Sequence, residues 1–136
     1  MELPWLQRYE PYLLALLRIM TGLLFLEHGT AKLFGFPVFP EGMPHPLPTL
    51  ILASAVIELV CGLLVTVGLF TRLAAFIAAG EMAVAYFMVH FPKGFWPIVN
   101  MGEGAILYCF IFLFLAAAGA GAWSIDAART RNAPIR

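Results

Sequence analysis

Four stretches of this chain run on apolar side chains: about Tyr12 to Phe34, Leu47 to Phe70, Leu73 to Phe91 and Gly102 to Trp123. A helix needs roughly 20 such residues to cross about 30 Å of hydrocarbon, so each stretch is predicted to span a bilayer. The runs are continuous, whereas barrel strands alternate apolar and polar residues. A helix also satisfies its own backbone hydrogen bonds where no water is present. The composition agrees. Hydrophobic residues make up 62% of the 136 and charged residues 12%, with zero net charge. Soluble domains sit at about 45–50% and about 25%. A disordered chain, a nucleic-acid binder with a basic face and an ordinary water-soluble enzyme are excluded. The expected fold class is all-α: an integral membrane four-helix bundle, with one transmembrane domain over residues 1–136.

The first stretch does not read as a cleavable leader, because Arg18, Glu27 and Lys32 interrupt it. The turn at Gly68–Arg72 is so short that the second and third helices must be antiparallel neighbours. The loop from Gly35 to Pro48 holds Pro37, Pro40, Pro44, Pro46 and Pro48, half of the ten prolines. That density forbids a regular helix there. The third connection, Pro92 to Met101, carries Phe95 and Trp96. Four crossings put both termini on one side. Arg8, Arg72, Arg129, Arg131 and Arg136 fall on that side, and Lys93 lies in the opposite loops. The positive-inside rule then predicts cytoplasmic termini in a bacterial inner membrane, with Trp5 and Trp123 at the inner interface and Trp96 at the outer one.

A charge at the bilayer centre costs about 2.5–3.5 kcal/mol on insertion scales, so such residues turn toward the bundle interior. Glu58 and Glu81 stand halfway along the second and third helices, at similar depth. Arg18 lies roughly 9 Å in from the cytoplasmic end of the first. It is predicted to pair with Glu81, Glu58 or both. Two readings stand: an ion pair that fixes helix register, or a proton or substrate site. If the glutamates share a site without Arg18, one of them should be protonated.

A second polar group lies near the outer end. His28 and Lys32 are four residues apart and share a helix face. His90 closes the third helix, Glu103 opens the fourth, and Asn100 precedes it. Glu103 also suits the positive end of a helix dipole. Glu27 points away from Arg18 and is expected at a helix edge, a subunit contact or the interface. His28, Lys32, His90, Asn100 and Glu103 are predicted to meet in a cleft under the two long loops. No His-x-x-x-His or Glu-x-x-His pair is present and Lys32 would repel a cation, so no metal is assigned. Cys61 and Cys109 differ in depth by roughly 8 Å, more than a disulfide tolerates. They are read as packing residues. Ala74, Ala78, Glu81 and Ala85 share a stripe on the third helix, and Gly62 follows Glu58 by one turn. Such small-residue stripes let helices approach closely.

These motifs together resemble the DoxX family of bacterial membrane proteins. The first helix reads LLRIMTGLLFLEHGTAKLFG (Leu16 to Gly35), similar to the family's arginine, His-Gly and Lys-Leu-Phe-Gly pattern. IELVCGLLVTVGLFTRLAAFIAAGEMAVAYFMVH (Ile57 to His90) resembles its Glu, Gly-Leu, Thr-Arg-Ala-Ala and closing histidine. NMGEGAILY (Asn100 to Tyr108) is similar to its Asn-Gly-Gly-Glu turn, with Met101 in place of the first glycine. GAGAWSID (Gly119 to Asp126) resembles its Gly-x-Gly and Ser-Leu-Asp close.

The resemblance implies a four-helix membrane subunit. Some DoxX-like proteins are linked to thiosulfate:quinone oxidoreductases, and others associate with redox-defence enzymes. Arg18, His28, Lys32, Glu58, His90 and Glu103 match the family's polar positions. No cofactor motif is evident in the chain, so a membrane quinone is the expected electron acceptor. Arg18, Lys32, Glu58, His90 and Asn100 are the expected substrate-binding residues. Glu81, Glu103 and His28 are the candidates for proton transfer. The expected partners are the lipid bilayer and a soluble or membrane redox protein. A homo-oligomer stays open, and no nucleic acid is expected. The rival expectation is a non-catalytic anchor, assembly or small-solute passage protein.

Overall fold

The computed structural model describes residues 2–132. Among these every regular element is helical. A short turn α1 (Pro4–Gln7) leads into α2 (Glu10–Phe34), followed by α3 (Thr49–Val67) and α4 (Thr71–Ala85). From α4 the chain continues through a π turn (Tyr86–His90) and a 3-10 turn (Phe91–Lys93). Then come α5 (Pro97–Asn100), α6 (Glu103–Ala118) and α7 (Ile125–Arg131). The loop from Gly35 to Pro48 contains no helix, as its prolines dictate. Arg136, counted for topology above, lies outside the described residues.

Three helical runs are long and apolar enough to cross a membrane: Glu10–Phe34, Thr49–Val67 and Thr71–Lys93. The fourth is shorter than expected. α6 has 16 residues and stops at Ala118, not near Trp123. Its length is about 24 Å at 1.5 Å per residue. The reason is local. Gly119 and Gly121 take φ of +87° and +69°, where a Cβ is disfavoured, and the chain turns there. Two arginines satisfy carbonyls around this turn. Arg72 donates to Ala116 O at 3.1 Å and to Ala117 O. Arg18 donates to carbonyls after the turn.

α2 packs along α3, and α4 along α6, with smaller contacts between the two pairs. The α2–α3 contact is backbone to backbone. A Cβ added at Gly29 would sit 2.6 Å from Leu59 N, and one at Gly62 would sit 2.7 Å from Leu26 N. Only glycine permits this approach, which suits helices that gain no hydrophobic drive from lipid. α4 offers Ala74, Ala75, Ala78 and Ala79, all buried, to the second pair. Phe25 and Phe112 meet edge to face at 4.8 Å and close the centre between α2 and α6. Outward, the helices present Leu16, Met20, Leu23, Val60, Leu63, Phe76, Phe110 and Phe114, all exposed. An apolar exterior of this kind is a lipid-facing surface. Trp5, Trp96 and Trp123 are exposed as well.

The antiparallel α3–α4 turn is as expected. Gly68 (φ +70°) ends α3, and Phe70 enters α4 at φ +49°. α7 docks on this turn. Asp126 N donates to Gly68 O at 2.8 Å, and the Asp126 carboxylate accepts from Phe70 N at 3.0 Å and Thr71 N at 2.9 Å. The carboxylate thus caps α4 from a distant part of the chain, and those amides are otherwise orphaned. Burial pushes the Asp126 carboxyl up. The hydrogen bonds from Thr71 and Phe70, with Arg129 nearby, outweigh it and hold the group below its ordinary range.

Candidate functional site

The helix pairs are clasped at the end near the termini. The clasp is Arg18, the α3–α4 turn and α7. Arg18 is completely buried, and its guanidinium donates to Ala120 O, to Ala122 O at 3.1 Å and to Trp123 O at 2.8 Å. This corrects the expected pairing of Arg18 with Glu58 or Glu81. Its acceptors are main-chain carbonyls of the non-helical segment that follows α6, so Arg18 ties that segment to α2 and stands apart from the cavity.

Beyond the clasp, the four long helices line a partly open cavity of about 810 Å³. Phe25, Ile57, Ile77, Val84 and Met88 supply apolar wall. His28 and Lys32 come from α2, Ser54 and Glu58 from α3, Gly80 and Glu81 from α4, and Tyr108 from α6. Lys32 Nζ donates to Glu58 Oε1 at 2.7 Å and to Ser54 Oγ at 3.3 Å. Ser54 Oγ donates to Glu81 Oε1 at 2.6 Å. A continuous hydrogen-bonded chain therefore runs Glu58–Lys32–Ser54–Glu81 across three helices. Glu58 is 2% exposed. The second oxygen of each glutamate, Oε2, is buried with no hydrogen-bond partner among the described residues. One ammonium faces two carboxyl groups, so Lys32 can neutralise only one of them.

Partner chemistry fixes the histidine tautomer. His28 Nδ1 lies 2.8 Å from Leu24 O. A carbonyl only accepts, so Nδ1 carries the proton and Nε2 keeps its lone pair in the neutral ring. The His28 ring sits edge-on to Tyr108 at 5.8 Å. His90 also lines the cavity, and its Nδ1 donates to Asn100 O at 3.0 Å.

The predicted outer cleft is therefore reached by only some of its expected members. His28, Lys32 and His90 line the cavity, and Glu58 and Glu81 join them from mid-helix. Asn100 does not. It is buried behind the wall, donating to Gly94 O at 2.8 Å and Tyr86 OH at 3.3 Å and accepting from Gly102 N at 2.8 Å. Its polar groups are spent on shaping the third connection. Glu103 is exposed at the start of α6, outside the cavity. Glu27 is exposed too, in keeping with a helix-edge position. Ser54 and Tyr108 are the residues that sequence reasoning missed. Ser54 stands one helical turn before Glu58, a spacing that puts both on one face. Cys61 is buried and Cys109 half-buried, and both thiols are free.

Residues 13–91 match the family model described as DoxX, a stretch that covers most of α2, all of α3 and α4, and every member of the Glu58–Lys32–Ser54–Glu81 chain. This chain belongs to the DoxX family. A relative from Haemophilus influenzae (strain ATCC 51907 / DSM 11121 / KW20 / Rd), described as an uncharacterized protein, is 46% identical over 125 residues. That match covers 89% of this chain and 93% of the relative. No solved structure matches. The DoxX match includes Arg18, His28 and His90, while Tyr108 and Glu103 on α6 lie beyond it.

Proposed function

We propose that this DoxX-family chain is a bacterial inner-membrane subunit of a redox system and binds a membrane quinone in the cavity beyond the clasp. One observation carries the reading: a half-buried hydrogen-bonded chain of Lys32, Glu58, Ser54 and Glu81 set in apolar walls between membrane-spanning helices. Ligand pockets are mostly apolar, with a few convergent polar groups that fix orientation, and span about 300–1,000 Å³. A quinone, when bound, accepts two electrons and two protons. The residues present suit such a ring. Lys32 uses two of its three N–H donors and keeps one for a ring oxygen. Glu81 and His28 are placed to hold or release protons, and Ser54 joins Glu81 to Lys32. Phe25 and Tyr108 offer aromatic faces. The electrons would come from a redox partner protein at the membrane. Arg8, Arg72, Arg129 and Arg131 near the clasp favour cytoplasmic termini, with the cavity toward the outer leaflet.

Gly80 provides the test. It lines the cavity, and a Cβ there would meet nothing within 4 Å. Gly80→Leu should fill the cavity without a clash, and it replaces a poor helix former by a good one, worth roughly 0.5–1 kcal/mol. Purified protein in lipid nanodiscs, titrated with decyl-ubiquinone, should bind it. The Gly80→Leu variant should keep or raise its Tm and lose binding at least tenfold. An anchor without a ligand would bind no quinone in either form of the protein.

A further inference from the structure

The clasp end carries a second recess, separate from the cavity between the helix pairs. It is a shallow cleft of about 760 Å³, bounded by the start of α4, the turn after α6 and one face of α7. Arg72, Gly119, Gly121, Asp126 and Arg129 line it. Both arginines are exposed and keep donors unspent. Arg72 gives the Ala116 and Ala117 carbonyls only its Nη1, so Nε and Nη2 donate to no described residue. Its guanidinium lies against the turn: a Cβ on Gly119 would sit 3.1 Å from Nη2. Arg129 forms no ion pair or hydrogen bond with any described residue. It lies over the Phe70 ring at 5.1 Å, and a guanidinium held on a ring face keeps its N–H edge open.

One carboxylate shares the cleft. Its two oxygens, on Asp126, are taken by the amides of Phe70 and Thr71. Two cations against one anion leave a single positive charge. An anion with several oxygens balances it, and guanidinium groups fork onto phosphate oxygens with paired hydrogen bonds. The surroundings select the source of that phosphate. The cleft lies just past the end of α6, where a membrane-spanning helix leaves the hydrocarbon. Phe70 and Leu73 line it and are exposed, and Phe76 continues the exposed apolar face along α4. A free phosphate gains nothing from that face, whereas a lipid lays its chains there. Basic recesses at a membrane surface attract anionic headgroups.

We propose that this cleft is a binding site for one anionic phospholipid of the leaflet beside the termini, its phosphodiester held by Arg72 and Arg129 and its acyl chains laid along α4. The site is independent of the quinone reading. The lipid would tie α7 to the ends of α4 and α6 from outside, as Arg18 ties the same end from within. Phosphatidylcholine carries its own cation beside the phosphate and leaves the charge of the cleft unbalanced.

The test counts bound lipid by native mass spectrometry. The full chain in neutral detergent is titrated with phosphatidylglycerol and with phosphatidylcholine of the same acyl chains. One phosphatidylglycerol should bind at least tenfold more tightly than phosphatidylcholine. Arg129→Gln removes an exposed side chain that hydrogen-bonds no described residue, so the fold should stand, and phosphatidylglycerol affinity should fall at least fivefold. Lys93→Gln, the same change of net charge at the opposite end, should leave that affinity unaltered. Inorganic phosphate in tenfold excess should leave the lipid in place. Equal affinities for the two lipids would overturn the proposal. So would full affinity in Arg129→Gln, or an equal loss in Lys93→Gln, the mark of diffuse attraction. Displacement by inorganic phosphate would assign the cleft to a free anion and overturn the lipid. The selectivity of the wild type is read without any variant.

Discussion

Arg18 and Asp126 hold one end of the molecule by the same device from opposite charges: each side chain pairs main-chain groups outside the regular helical ladder, Arg18 the carbonyls that follow α6 and Asp126 the amides that open α4. Removing Arg18 strands carbonyls that have little access to water. Arg18→Ala should therefore lower stability by about 3 kcal/mol or more, read as Tm in detergent. Arg18→Lys should recover only part, because an ammonium lacks the planar fork that serves several carbonyls at once. Asp126→Ala should cost about 1 kcal/mol, the usual value of an N-cap. The pH dependence has a definite sign. The Asp126 carboxyl titrates below its ordinary range, so its stabilisation is complete above about pH 4, the unfolded-state value. It is lost as pH falls through the lower folded value. Thermal unfolding should separate wild type from Asp126→Ala at neutral pH, and the gap should close in stronger acid. Asp126 is half-buried and still meets water, so the cap, not the shifted titration, sets the size of the effect.

At the scale of helices, the sequence reveals what lipid forbids and conceals what the backbone accepts. Glu58 and Glu81 could be placed at one depth because carboxyl groups in hydrocarbon must turn inward. Lys32 lies on the face of His28, and both line the cavity for that reason. The partners of Arg18 were not legible. They are carbonyls of Ala120, Ala122 and Trp123, and a free carbonyl has no residue-type signature. The early end of α6 had a cue in Gly119 and Gly121, yet the apolar run continues past them and hides the break. The stripe of alanines on α4 was readable, but the tighter seam through Gly29 and Gly62 depends on how α2 and α3 face each other. Gly29→Leu tests that seam. Its new side chain would meet the backbone of Leu59 and Ala55. The pair must separate, so Tm should fall by an amount equivalent to about 1–3 kcal/mol or more. A similarly exchanged Gly80 should lose none.

For the whole molecule, the number of crossings and the polarity of the surface follow from composition and run length, because the bilayer fixes both requirements. The shape of the interior does not. It depends on two helix pairs clasped at one end, and the residues that clasp them lie far apart in the chain. Sidedness is a separate matter that packing leaves open and basic residues address. If the termini are cytoplasmic, a Lys93→Cys variant in intact cells should react with a membrane-impermeant maleimide, and Arg129→Cys should react only after lysis. The native thiols give little background, as Cys61 is buried and Cys109 half-buried.

One dimension of the molecule bears on its surroundings. The 16 residues of α6 stand beside runs of 25 and 23 residues in α2 and in α4 with its extension. The perimeter is therefore taller on one flank than on the other. Lipids along α6 must compress or leave the Gly119–Trp123 segment hydrated, at a fraction of a kcal/mol per Å of misfit. Acyl-chain length would then set how comfortably each flank is solvated, and thin bilayers would ease the strain beside the Tyr108 wall.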